Sequence, residues 1–265
     1  MGKNEGFLIS IITVCFNSEA TIKDTFESIL KQSYRNLEYI IIDGGSTDKT
    51  LEMIKAYELP FKNKGINYKW ISESDKGIYD AWNKGIKMAQ GEIIGILNSD
   101  DWYEDDAVQT VASMRKDTIH RIYSGAMNRI NAEQKVYKTM FNKKIFNVKN
   151  YMPVNCPATF VSKSVYNKIG VFDTTYRLSA DYDFIFRAFN EGIPFKFTDK
   201  VLVNMRNTGA TGQINNIWHS AKEDYLIQKK NGVKKAGFNY LKKCVFNTLI
   251  IIRNSFLRPV LNFIN

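Results

Sequence analysis

An apolar run, Gly91-Glu-Ile-Ile-Gly-Ile-Leu-Asn-Ser-Asp-Asp-Trp102, ends abruptly in two adjacent carboxylates, Asp100 and Asp101. A buried strand that delivers acids to its C-terminal edge can hold a hard cation beside a phosphorylated ligand, because the strand fixes the oxygens and the edge leaves room for substrate. One or two protein carboxylates suffice for a divalent ion that bridges two phosphates, since phosphate oxygens and water fill its other positions. A turn in which either acid caps the helix near Asp105 uses the same residues for a plainer purpose.

Other segments offer related chemistry. In Asp43-Gly-Gly-Ser-Thr-Asp48 the glycines permit a tight turn, Ser46 or Thr47 can cap a helix, and Asp43 is placed to accept from an N–H donor such as a nucleobase imide. A simple capped turn explains that segment equally well. Asp75-Lys76-Gly77 also stands where a strand gives way to a helix, so Lys76 could neutralise a diphosphate with help from the helix N-terminus. A solvent-exposed charged turn is the alternative there. Asp181, in Ser179-Ala-Asp-Tyr-Asp-Phe184, can serve as a base or cap the following helix. Cys156 has no histidine near it in sequence, which favours a small packed residue over a thiol nucleophile. Arg206 could hold a phosphate or sit exposed on a hairpin, and His219 reads as a surface histidine rather than a metal ligand.

The elements that must position these groups follow from periodicity. Residues 8–14, 37–43, 68–72 and 92–97 read as buried strands, and residues 20–32, 47–57 and 78–89 as the helices between them. This alternation predicts a parallel sheet with right-handed crossovers and ligands beyond the carboxyl ends of its strands. That edge carries Asn17, Asp43, Asp75, Lys76, Asp100 and Asp101. The pattern then loosens into a helix at 107–116, short strands at 122–129 and 135–141, a helix at 181–190 and a late strand at 195–203.

Composition sets the outer bounds. With 265 residues, 44% hydrophobic and 24% charged, the chain reads as a globular α/β protein. Cys15, Cys156 and Cys244 form no CxxC pair, which argues against a disulfide framework or a thiolate zinc site and for a reducing, cytoplasmic setting. No export signal is expected, because the polar start runs straight into a short strand. Of the net charge of +10, residues 225–265 supply eight positive charges and no acid, leaving +2 for the rest. The longest apolar run there, residues 248–252, is far below the roughly 20 residues that cross a bilayer. Mixed with lysines and arginines, it suits a helix lying on an anionic membrane, where each basic side chain contributes about 1 kcal/mol. Charge confined to an apolar-rich tail argues against nucleic acid as a partner.

Four segments in order, Ile12-Thr-Val-Cys-Phe-Asn17, Ile42-Asp-Gly-Gly-Ser-Thr-Asp48, Asp75-Lys-Gly-Ile-Tyr-Asp80 and Asn98-Ser-Asp-Asp101, resemble family 2 glycosyltransferases of the GT-A fold, of the bacterial surface-polysaccharide or O-antigen type. The resemblance is close over residues 7–105 and continues in patches to residue 207. It implies an α/β fold with a mixed sheet flanked by helices. It further implies an inverting transferase that takes a nucleotide-activated sugar, most often UDP-linked, with Mn2+ or Mg2+ on the diphosphate. The acceptor class is a saccharide, free or carried on a polyprenyl diphosphate. Carried over by position, Thr13 to Asn17 and Asp43 line the nucleoside pocket, and Asp75 and Lys76 lie near base and phosphates. Asp101 is the main metal ligand, Asp100 is a second one nearer the ribose and phosphate, and Arg206 stands on the donor side. Ser179 to Phe184 resembles the segment that bears the general base and selects Asp181 over Asp183.

The chain departs from the family pattern at Gly44 and Asn98, where acids often stand. Ala180 replaces a glutamate before the base, and Cys156-Pro157 replaces a His-Gln pair. The expected organisation is a catalytic domain over 1–215, with a donor half at 7–105 and an acceptor half at 106–215. Residues 216–265 follow as a basic amphipathic helical region that places the enzyme on the inner face of the cell membrane. A binding protein that kept the fold and lost turnover is the competing reading, and intact Asp100, Asp101 and Asp181 argue against it.

Overall fold

The computed structural model describes residues 6–115, 120–206 and 214–252. Four parallel strands come first: β1 (Ile9–Cys15), β2 (Leu37–Asp43), β3 (Asn67–Ser72) and β4 (Ile93–Ile96). Between them lie α1 (Ile22–Lys31), α2 (Thr50–Ala56) with the short α3 (Glu58–Asn63), and α4 (Ile78–Met88). Strands β1 and β2 are buried along their whole length, which is why they read as runs rich in isoleucine without polar alternation. In α1 the buried positions Ile22, Phe26 and Ile29 recur at helical spacing, and burial of each such side chain stabilises the fold by about 1.5–3 kcal/mol.

The second half adds β5 (Trp102–Tyr103), α5 (Ala107–Met114), β6 (Ile122–Ile130), β7 (Val136–Met140), β8 (Thr159–Ser162), α6 (Lys163–Ile169), α7 (Ala180–Asn190) and β9 (Phe195–Arg206). The described strands make one mixed sheet in the order β3-β2-β1-β4-β8-β6-β9-β5, with β7 paired to β6. Beyond β4 the directions mix: β8 runs antiparallel to both β4 and β6, while β9 pairs in parallel with β6. Helices cover both faces, one core gathering around Phe26, Tyr39 and Phe61 and the other around Trp82, Tyr166 and Phe184. At the opposite end of the strands from the site, the buried Glu38 accepts from Ser10 Oγ (2.5 Å), Lys69 Nζ (2.7 Å) and the Gln90 amide (2.8 Å), tying three strands together.

Two long helices follow, α8 (Ile214–Lys230) and α9 (Ala236–Ile252). The expected boundary near residue 215 does not separate α8 from the folded body, because its Ala221, Ile227 and Gln228 are buried and Gln228 Nε2 donates to Tyr182 Oη at 3.0 Å. Helix α9 turns polar groups inward, with Asn239 donating to the Lys149 carbonyl, and leaves Phe238, Leu241, Val245, Phe246 and Leu249 exposed. Residues 253–265 of the basic region lie outside the described residues.

Candidate functional site

A cavity of about 250 Å³ opens at the C-terminal end of β4. Its lining includes Asn98, Asp100 and Asp101, Met205 and Arg206 of β9, Asp181, Phe184 and Ile185 of α7, and the aromatic pair Tyr79 and Trp82 of α4. The sheet brings these together because β4 sits between the parallel half and the antiparallel β8, so the acid turn and the second half share one edge.

Asp101 is almost fully buried, and its carbonyl accepts from Thr25 Oγ1 at 2.7 Å. Its Oδ1 accepts from the Arg206 amide at 3.1 Å, whereas Oδ2 has no hydrogen-bond partner. Burial, with the Asp100 charge beside it, pushes the carboxyl well above the usual range. A divalent cation would offset that cost by supplying the opposing charge. Among the described residues there is no cluster of three or more metal-binding side chains. Asp101 with Asp100 therefore fits an ion whose shell is completed by a phosphorylated ligand.

Arg206 lines the cavity and already has partners within the chain. Its guanidinium donates to the Asp100 carbonyl at 2.7 Å, pairs with Asp24 and packs 4.6 Å from the Trp102 ring centroid, so it braces the acid turn. Ser18 Oγ and Ser99 Oγ, 2.8 Å apart, tie the loop after β1 to the same turn.

In the same lining Asp181 Oδ1 accepts from Tyr79 Oη at 3.1 Å and from the Tyr182 amide at 2.8 Å. Burial pushes its pKa up to about 6, and these two donors hold back a larger rise. Asp183 is committed elsewhere, fully buried against Arg187 Nε at 2.7 Å and Lys230 Nζ at 3.7 Å. The Cys156 thiol also faces Asp181, and burial beside that carboxylate raises its pKa well above the ordinary value, which makes it an inert neighbour. His219 is exposed and lies 3.4 Å from Glu223, away from the cavity lining.

The remaining strand-end residues stand on the same edge outside the cavity lining. Two of them do not present their side chains as expected. Thr13 is fully enclosed and its hydroxyl accepts from Tyr39 Oη at 3.0 Å. Asp43 is likewise enclosed, accepting from Ser72 Oγ at 2.6 Å and from the Ser46 amide at 3.1 Å, so its carboxylate builds the turn. Asn17, with a left-handed φ of 49°, accepts from the Thr47 amide at 2.9 Å and joins two neighbouring loops. Asp75 Oδ1 accepts from the Gly77 amide at 2.8 Å, and its other oxygen fills the space that a side chain at position 44 would take. Lys76 is exposed.

Tyr79, Trp82 and Arg177 line the cavity without having been singled out by the sequence. The spacing of three between Tyr79 and Trp82 was a usable signal, since it puts both on one face of α4. Arg177 gave none.

Residues 10–170 match the family described as glycosyl transferase family 2. The chain belongs to glycosyl transferase family 2. An uncharacterized glycosyltransferase of Mycobacterium tuberculosis is 33% identical over 186 residues, covering 68% of each chain. A family 2 chain of this kind is also similar to the PGL/p-HBAD biosynthesis glycosyltransferase of Mycobacterium bovis, 27% identical over 191 residues, 69% of this chain and 70% of that one. Among solved structures, residues 1–349 of S. aureus TarS in complex with UDP-GlcNAc superpose with a TM-score of 0.63 at 18% identity, covering 83% of this chain and 66% of that one. The mannosyltransferase PcManGT of Pyrobaculum calidifontis, in complex with GDP-Man and Mn2+, also gives 0.63, at 16% identity and 90% and 69% coverage. These likenesses establish the GT-A-type mixed α/β fold.

Proposed function

We propose that this family 2 glycosyltransferase is an inverting enzyme that moves a hexose or N-acetylhexosamine from a UDP-sugar to a glycan or polyprenyl-diphosphate-linked saccharide in surface-polysaccharide biosynthesis. The observation that carries the reading is the cavity itself, whose lining combines Asp101, with one oxygen that has no hydrogen-bond partner, and Asp181, a base that ionises near neutral pH. Asp181 takes the proton from an acceptor hydroxyl while that oxygen attacks the anomeric carbon, on the face opposite the diphosphate. The new carbon–oxygen bond forms as the bond to the diphosphate breaks, which inverts the anomeric centre. Asp101 and Asp100 would hold Mn2+ or Mg2+, which supplies charge compensation for the departing diphosphate. Asn17, Asp75 and Lys76 stand on the donor side of the same edge. Thr13 and Asp43 support that side from within.

Calorimetric titration of UDP, with Mn2+ and then with EDTA, tests the donor site without knowledge of the acceptor. Metal-dependent binding is expected; no binding in either condition would sink the UDP-sugar reading.

The same proposal places the chain on an anionic membrane surface, at the cytoplasmic face. The exposed apolar row of α9 supports this, together with the lysines at 229, 230, 234, 235 and 242. No helix among the described residues is long and apolar enough to cross a membrane. Co-sedimentation with anionic vesicles is expected for the full chain and should fail for a Leu241→Glu/Phe246→Glu double variant. Equal sedimentation of both would remove α9 from the contact.

A further inference from the structure

Helix α8 reaches the turn that leads into the catalytic helix through Glu223. The two carboxylate oxygens of Glu223 accept from three consecutive backbone amides, those of Arg177 (2.8 Å), Leu178 (2.9 Å) and Ser179 (2.9 Å). Glu223 is buried, and it does not itself line the cavity. The segment it holds does: Arg177, Leu178 and Asp181 all face the cavity. Beside it, Ser179 Oγ donates to Asp224 Oδ1 at 2.8 Å, and Asp224 in turn pairs with Lys243 of α9 at 2.6 Å. The Ser179 side chain makes no bond to its own helix, so the start of α7 is fastened by α8 instead of by a local cap.

We propose that Glu223 is a positioning residue for the catalytic base: from α8 it fixes the turn of residues 177–179 and thereby the place and direction of Asp181. A carboxylate that gathers three consecutive amides restricts that turn, because releasing it would break three charge-assisted hydrogen bonds at once, the one to Ser179 in a buried setting. The consequence is kinetic, since displacement of a reacting group by about 1 Å costs on the order of 100-fold in rate. This inference rests on Asp181 being the base.

The test measures UDP release by hydrolysis of a UDP-sugar, with water in place of the acceptor. The donor is the UDP-hexose that the wild-type protein turns over fastest. Rates are expressed per UDP-binding site counted by calorimetry, so that misfolded protein is not scored. For Glu223→Ala the rate per site should fall about 100-fold while the UDP Kd stays within about twofold. Glu223→Gln keeps one acceptor oxygen and should fall about 10-fold. An unchanged rate per site in both variants overturns the proposal, and so does a loss of UDP affinity that matches the loss of rate. Failure of the wild-type protein to bind UDP or release it from any donor would instead count against the transferase reading, and it is seen before any variant is made.

Discussion

Asp181, half-buried, and Asp101, almost fully buried, are two carboxylates in the lining of one cavity, both pushed upward by desolvation, and their surroundings give them different capacities. Asp181 has a tyrosine hydroxyl and a backbone amide on one oxygen, which bring it to about 6, so it can ionise near neutral pH with no further partner. Asp101 has a like charge next to it and one oxygen with no donor, so its ionised form calls for a cation. Neutral donors make a base, whereas an unfilled oxygen makes a cation ligand.

The sharpest way to break this contrast is to neutralise each acid in turn. Asp181→Asn should lower turnover by about 10²- to 10⁴-fold, the usual contribution of a positioned base, with UDP affinity unchanged. The same variant should be more stable. The folded-state pKa of Asp181 lies above that of an unfolded aspartate, so ionising it costs stability as pH rises through about 6. The asparagine should therefore gain about 1–3 kcal/mol in chemical denaturation at pH 8 and nothing at pH 4. Asp101→Asn should do the reverse in binding: UDP affinity measured with Mn2+ should drop about 10-fold or more, toward its value in EDTA. If both variants lost UDP affinity equally, the two acids would not be distinct.

A smaller effect tests the donors on Asp181. Activity should be present above pH 6 and disappear as pH falls through the base's pKa of about 6. Tyr79→Phe removes a hydrogen bond to the ionised form, so that limb should move to higher pH. The rate at pH 6 should fall about threefold to tenfold and the rate at pH 8 by less than about twofold. A limb that stays in place would mean that the hydroxyl does not tune the base. The smallest effect belongs to the donor edge, where Gly44→Ala should displace Asp75 and change UDP affinity by about twofold to fivefold.

The two halves of the sheet also differ in how far the sequence discloses them. The parallel strands were legible because β1 and β2 are buried on both faces and are rich in isoleucine. Asp100, Asp101 and Asp181 were legible because each opens or closes such an element. The four residues of β8 and the two of β5 are too short to show periodicity, and they are the strands that switch the sheet to antiparallel pairing. Tyr79 meets Asp181 across 102 positions and Glu223 meets Arg177 across 46, and no local pattern encodes such meetings. Thr13 and Asp43 mislead for a related reason, since hydroxyl or carboxylate at a strand end looks the same whether it faces a ligand or a neighbouring Tyr39 or Ser72.

The close approach at Gly44 carries a consequence for how this edge can vary. A Cβ there would stand 2.6 Å from Asp75 Oδ2, so the two positions compete for one volume. A side chain introduced at 44 therefore moves the end of the Asp75 side chain aside. Substitutions at 44 and 75 act on the same volume, so the effect of either is read with the identity of the other in hand.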